Sequence, residues 1–158
     1  RLCRGITAEL GKDAGRAFAR YGARGARGEA EDGFPHVLLA LEMFSHAIEQ
    51  GATGQDAWLL ALLSLIATVE DANVLARCGE ATARELRNRA GELAARYPAG
   101  GAALADEIRA LDCDCCAWNA SPGGAADLLA CAMFFRALEE RKTNLGETGR
   151  VSKNDIEL

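Results

Sequence analysis

The residues best placed to do chemistry lie in three polar islands within an otherwise apolar, helix-forming chain. One of them, Asn119-Ala120-Ser121-Pro122-Gly123-Gly124-Ala125-Ala126-Asp127-Leu128-Leu129, carries Asp127, the only formally charged side chain between Cys115 and Phe135. Pro122 and the glycine pair stop a helix arriving from upstream, and the alanines and leucines from Ala125 to Leu138 start a new one. The first turn of a helix leaves N–H groups unpaired and carries a partial positive charge. An anion is therefore expected there, with Gly123 and Gly124 allowing close approach. Asp127 falls on one face with Cys131 and Phe134, which places a carboxylate on an apolar stripe. The same residues also read as a plain helix start, with Ser121 as cap and Asp127 favoured by the dipole.

A second island, Asp71-Ala72-Asn73-Val74-Leu75-Ala76-Arg77, closes an apolar run. Asn73 and Arg77 stand four apart, on one face if the segment is helical, and Glu70 joins that face. Such groups at the end of a buried helix need partners, either one another or a ligand. The remaining island runs from Gly22 to Pro35 and holds Arg24, Arg27, Gly28, Glu29 and Glu31. Gly25 and Gly28 suit a backbone nest around phosphate, and the arginines suit its oxygens. Glu29 and Glu31 are hard oxygen ligands of the kind that hold Mg2+ beside a nucleotide. A solvated loop whose charges neutralise one another would have the same composition.

Helices must position these islands. Residues 6–21 carry Leu10, Ala14, Phe18 and Tyr21 at helical spacing, and 22–35 reads as a glycine-rich loop. Pro35 suits a first helical position, and Gly51 should end the helix that follows. Gln55 to Val69 is apolar nearly all round and therefore central. Glu70 to Asn73 interrupts it, and Val74 to Arg77 continues or restarts a helix. Glu80 to Tyr97 reads as a charged surface helix closed by Pro98 and Gly100-Gly101. Ala102 to Trp118 and Ala125 to Leu138 follow, and residues 141–158 read as a polar, disordered tail. The expectation is an all-α bundle of about six helices.

A net charge of −5, with no basic stripe interleaved with aromatics, speaks against nucleic acid. Of six cysteines only Cys113 and Cys116 have CxxC spacing, with no second such pair, and the two histidines lie far from that cluster in sequence, so reduced thiols of a cytoplasmic protein are expected. The longest apolar run, Ala57 to Thr68, is too short to span a bilayer.

Together the islands resemble the triphosphoribosyl-dephospho-coenzyme A synthase family. That family's G-A-R-G-E-A-E-x-G-F-P is matched by Gly25 through Pro35. Its D-T-N-V-x-x-R-G-G is matched by Asp71, Asn73, Val74, Arg77 and Gly79. Its N-L-S-P-G-G-S-A-D-L-L is matched by Asn119, Ser121, Pro122, Gly123, Gly124, Ala126, Asp127, Leu128 and Leu129. Ala72, Cys78, Trp118, Ala120 and Ala125 depart from the family's usual residues.

The family's amino-terminal motifs have no counterpart, so residues 1–140 resemble the carboxyl-terminal half of a larger all-α domain. The resemblance implies synthesis of the triphosphoribosyl-dephospho-coenzyme A prosthetic-group precursor from ATP and 3′-dephospho-coenzyme A, with release of adenine. Under it, Arg24, Arg27, Gly28, Asn73, Arg77, Asn119, Ser121, Gly123 and Gly124 are expected to bind substrate. Glu29, Glu31 and Asp71 would hold Mg2+, and Asp127 would act in the chemistry. The missing half, or a second copy, is the expected partner, and alone the chain is expected to be inactive. A non-catalytic partner or regulatory half that keeps the pocket is the alternative. A nucleotide hydrolase, releasing phosphate rather than adenine, is a third reading.

Overall fold

A computed structural model describes the backbone of residues 25–97 and 101–151, with the side chains of residues 28–97 and 104–143. Among these residues it is helical throughout: α1 Gly25–Glu31, α2 Pro35–Glu49, α3 Gly54–Thr68, α4 Ala72–Arg96, α5 Gly101–Ala117 and α6 Gly123–Val151. The expected helix over 6–21 lies outside the described residues.

The loop expected over 22–35 is corrected by α1. Ala26, Arg27, Glu29, Ala30 and Glu31 are good helix formers, and they outweigh the two glycines among them. Gly33, not Gly25 or Gly28, ends the helix. At φ 80° it lets its own N–H reach Ala30 O at 3.4 Å and that of Phe34 reach Glu29 O at 2.7 Å. The same closure recurs at Gly51, φ 86°, where Gly51 N donates to Ile48 O and Ala52 N to Ala47 O. Pro35 opens α2 as expected.

α3 is the central helix, packed against α2, α4 and α6. Ala57, Leu60, Ala61, Leu63 and Leu65 are buried in it. Its one buried polar side chain, Ser64, is satisfied by donating to Leu60 O at 2.9 Å. Thr53 caps its start, accepting the N–H of Asp56 at 3.1 Å.

The two helical segments expected on either side of residues 78–79 are found, meeting at a kink within α4. Gly79 adopts φ 78°, ψ 174° inside α4, a conformation open essentially to glycine alone. Beyond it Ala83, Leu86, Ala90 and Leu93 recur every three or four residues and bury the inner face. α5 packs on the outside of α4, held by Arg89 to Asp114 at 2.6 Å and Arg96 to Glu107 at 2.5 Å.

α6 starts before Ala125 and runs beyond Leu138. Glu139, Glu140, Arg141 and Lys142 are good helix formers, and Arg136 pairs with Glu140 at 2.9 Å. The first part of the expected tail is therefore helical to Val151, and residues 152–158 lie outside the described residues.

Candidate functional site at the helix N-termini

Val37 and Ala40 of α2, Ala61 and Leu65 of α3, and Ala125, Leu128 and Ala132 of α6 form one buried cluster. The start of α2, the end of α3 and the start of α6 therefore share one end of the bundle. Farther along, Arg136 stacks over the Phe44 ring at 5.2 Å, so α2 and α6 run parallel. The chain leaves α3 at Thr68 and enters α4 at Ala72, which brings a third N-terminus to the same end. Each of the three islands borders one of these starts, so their described parts, residues 25–35, 71–77 and 119–129, lie toward that end.

Asp71 joins the second and third islands directly. Its Oδ1 accepts the N–H groups of Asn73 at 2.9 Å and Val74 at 3.3 Å, capping α4. Its Oδ2 accepts the N–H of Gly124 at 2.7 Å, in the first turn of α6. One carboxylate thus serves two helix dipoles. The glycines permit this approach. A Cβ on Gly124 would lie 3.0 Å from Asp71 Oδ2, and one on Gly123 would lie 3.2 Å from Asn73 Nδ2. The Asp71 carboxylate thus meets the start of α6 and caps α4.

Glu29 plays a similar part for α2. Its Oε2 accepts the backbone N–H of His36 at 3.3 Å, and its Oε1 pairs with the His36 ring Nδ1. Among the described residues no three His, Cys, Asp or Glu side chains gather as a metal site. Glu29, Glu31 and Asp71 do not form the Mg2+ cluster expected of them, because two of the three serve helix starts.

Asn119 is likewise structural as well as polar. At φ 53° it ends α5, with Asn119 N donating to Cys116 O and Ala120 N to Cys115 O. Nearby the Cys78 thiol donates to Trp118 O at 3.2 Å. Burial, opposed by Arg77, pushes the Cys78 thiol above its usual range and keeps it protonated. Arg89 lies over the Trp118 ring at 5.6 Å.

Asn73, Arg77, Asn119, Ser121 and Asp127 are all exposed. Asn73, Arg77 and Glu70 do not form the buried network considered for them, since the end of α3 opens to solvent. Asp127 does share a face with Cys131 and Phe134, but that face points outward and is not desolvated. Arg24 and the Arg27 side chain lie outside the described residues, and Gly28 is buried. Arg87 went unmarked as one of several arginines on a surface helix. It lines a small cleft with Ile66, Val69, Asp71, Val74 and Pro122, without an ion-pair partner among the described residues. No sequence signal singles it out.

The family model for ATP:dephospho-CoA triphosphoribosyl transferase (CitG) matches residues 12–145. A 2-(5″-triphosphoribosyl)-3′-dephosphocoenzyme-A synthase of Klebsiella pneumoniae is 40% identical over 121 residues, covering 76% of this chain and 43% of that protein. A probable synthase of the same name from Pseudomonas syringae pv. syringae is 42% identical over 123 residues, covering 76% and 42%. One from Haemophilus ducreyi is 40% identical over 125 residues, covering 77% and 37%. The chain thus spans about two-fifths of the length of the curated relatives it matches. No solved structure matches. Among the described residues no single helix is long and apolar enough to cross a membrane. The match over residues 12–145 places this chain in the ATP:dephospho-CoA triphosphoribosyl transferase family.

Proposed function

We propose that the chain supplies part of the nucleotide site of a transferase that makes 2′-(5″-triphosphoribosyl)-3′-dephospho-coenzyme A. In this reaction the 2′-hydroxyl of 3′-dephospho-coenzyme A attacks C1 of the ATP ribose, and the bond from C1 to N9 of adenine breaks. The bonding pair leaves with adenine, which takes up a proton, while the hydroxyl proton passes to a base. The triphosphate survives intact. The observation that carries this reading is the junction of two family motifs at Asp71 and Gly124, at the end of the bundle where all three motifs lie.

Arg77 and Arg87 grip phosphate oxygens, and the exposed amide of Asn73 and hydroxyl of Ser121, adjacent in sequence to the cleft residues Val74 and Pro122, add polar contacts. Asp71 and Glu29 fix the helix starts that present these groups. Mg2+ enters with ATP, as part of the substrate. Asp127 acts as the base for the hydroxyl or as counter-charge to the oxocarbenium-like ribose. Both roles gain from desolvation, and the exposure of Asp127 supports the reading that this chain alone is inactive. The free thiols of Cys78, Cys113, Cys115, Cys116 and Cys131 suit the reducing cytoplasm in which we place the enzyme.

The meeting of Cys78 with Trp118, both departures from the family pattern, favours a second reading as a binding half that has lost chemistry. One experiment separates them. The chain is joined to the part of the Klebsiella pneumoniae relative that it does not match. ATP and 3′-dephospho-coenzyme A are added, and adenine is measured chromatographically. Adenine equimolar with a triphosphoribosylated product supports the transferase. ATP binding without turnover supports the binding half, and phosphate release without adenine indicates a hydrolase and contradicts both.

A further inference from the structure

α6 buries one side only. Ala125, Leu128 and Ala132 face α2 and α3, whereas Ala130 and Cys131 are exposed and Met133, Phe134, Phe135 and Leu138 are 45%, 60%, 45% and 38% exposed. From Ala126 to Leu138 the helix runs about 20 Å. Two charges lie in that stretch, Asp127 and Arg136, and Arg136 belongs to the inner side, over Phe44. An exposed apolar surface of this kind marks an interaction site.

We propose that the outer face of α6 seats the part of the transferase chain that this sequence does not match, and that the seated part sets a cation against Asp127. Three observations select that occupant. The relatives carry more than half of their length outside the match, ample to cover a 20 Å helix. The face holds a single carboxylate, and burying it requires an opposite charge. A second copy of this chain would bury two such carboxylates with no cation on the face to meet either. The residue seated at the interface is also the family-motif aspartate, so docking would create the desolvation its proposed chemistry needs.

The identity of the occupant rests on the family reading, but the test reads binding and not turnover. Cys131 lies on the proposed seat, while Cys113 and Cys116, both exposed on α5, serve as internal controls. Pulse labelling with a maleimide, read by peptide mass spectrometry, compares the chain alone with the chain co-expressed with the unmatched part of the Klebsiella pneumoniae relative. The two parts are joined in one polypeptide if they do not assemble separately. In the chain alone Cys131 labels as fast as the controls. In the assembled protein it labels at least roughly tenfold more slowly, Phe134→Asp or Asp127→Lys restores fast labelling, and Asp127→Asn, which leaves the opposing cation unpaired, restores it in part. Unchanged labelling in the assembled protein overturns the proposal. So does slow labelling of Cys131 in the isolated chain: if independent of concentration it assigns the face to residues 1–24, and if accompanied by a dimer mass in light scattering it assigns it to a second copy. Protection without adenine release upholds the seat and rejects the transferase reading, whereas adenine release without protection does the reverse.

Discussion

The carboxylate of Asp71 accepts the backbone N–H of Gly124 at 2.7 Å, tying together two helix starts that lie 53 residues apart in sequence. Its other oxygen caps α4 through Asn73 and Val74. Asp71→Ala removes both connections and leaves the Gly124 N–H without its acceptor. The expected loss is about 2–4 kcal/mol, seen as a lower urea midpoint with an unchanged slope. Asp71→Asn, which keeps one carbonyl acceptor, falls between. Equal stability of wild type and Asp71→Ala would remove the double cap.

Two glycines of α4 should respond in opposite directions. Gly79 sits at φ 78°, and a Cβ there would meet nothing within 4 Å, so Gly79→Ala carries backbone strain alone. It is expected to cost about 1–3 kcal/mol. At Gly91 a Cβ would meet Ala67 Cβ at an ordinary 3.6 Å. Gly91→Ala should stabilise by about 0.5–1 kcal/mol. Thermal unfolding of the two variants checks both signs.

A pH effect follows from Tyr97, whose hydroxyl donates to Asp56 Oδ1 at 2.9 Å. Burial, then the hydrogen bond to Asp56, pushes this phenol from the usual 10.0 up to about 12. The folded chain thus holds the proton more tightly than the unfolded chain. The contribution is complete below pH 10 and is lost as pH rises through about 12. Urea midpoints measured across that window should fall for wild type. In Tyr97→Phe, less stable near neutrality, this part of the alkaline decline should disappear.

Nucleotide recognition is expected to depend on two arginines, one marked by its motif and one by the structure alone. In the protein joined to its unmatched part, Arg77→Ala and Arg87→Ala should each weaken ATP binding by roughly ten- to a hundredfold in calorimetry. Arg109→Ala, on exposed α5, is the control expected to bind ATP normally.

Much of the fold is legible because its punctuation is local. Pro35 and Gly51 mark helix ends by their own backbone chemistry, and the structure keeps those positions. α1 is less legible, since glycine content says where a helix is costly and not which glycine ends it. Only the positive φ of Gly33 decides that. The site is legible as a set of motifs but not as a set of roles. Glu29 and Asp71 look like metal ligands because carboxylates suit hard cations, yet the same oxygens also suit helix N-termini, and the choice depends on partners 7 and 53 residues away. Spacing puts Asp127 on an apolar stripe with Cys131 and Phe134, but spacing alone does not say whether that stripe is covered. In this chain only one side of α6 is covered, and Asp127 lies on the other.

The most direct test of the account is adenine release by the protein joined to its unmatched part, comparing wild type with Asp127→Asn. Because Asp127 is exposed in this chain and makes no packing contribution to the core, the variant should keep wild-type helical content. The account predicts that adenine release falls by about 10²- to 10⁴-fold in the folded variant, with ATP affinity little changed. Near-normal turnover by a folded Asp127→Asn protein would contradict it.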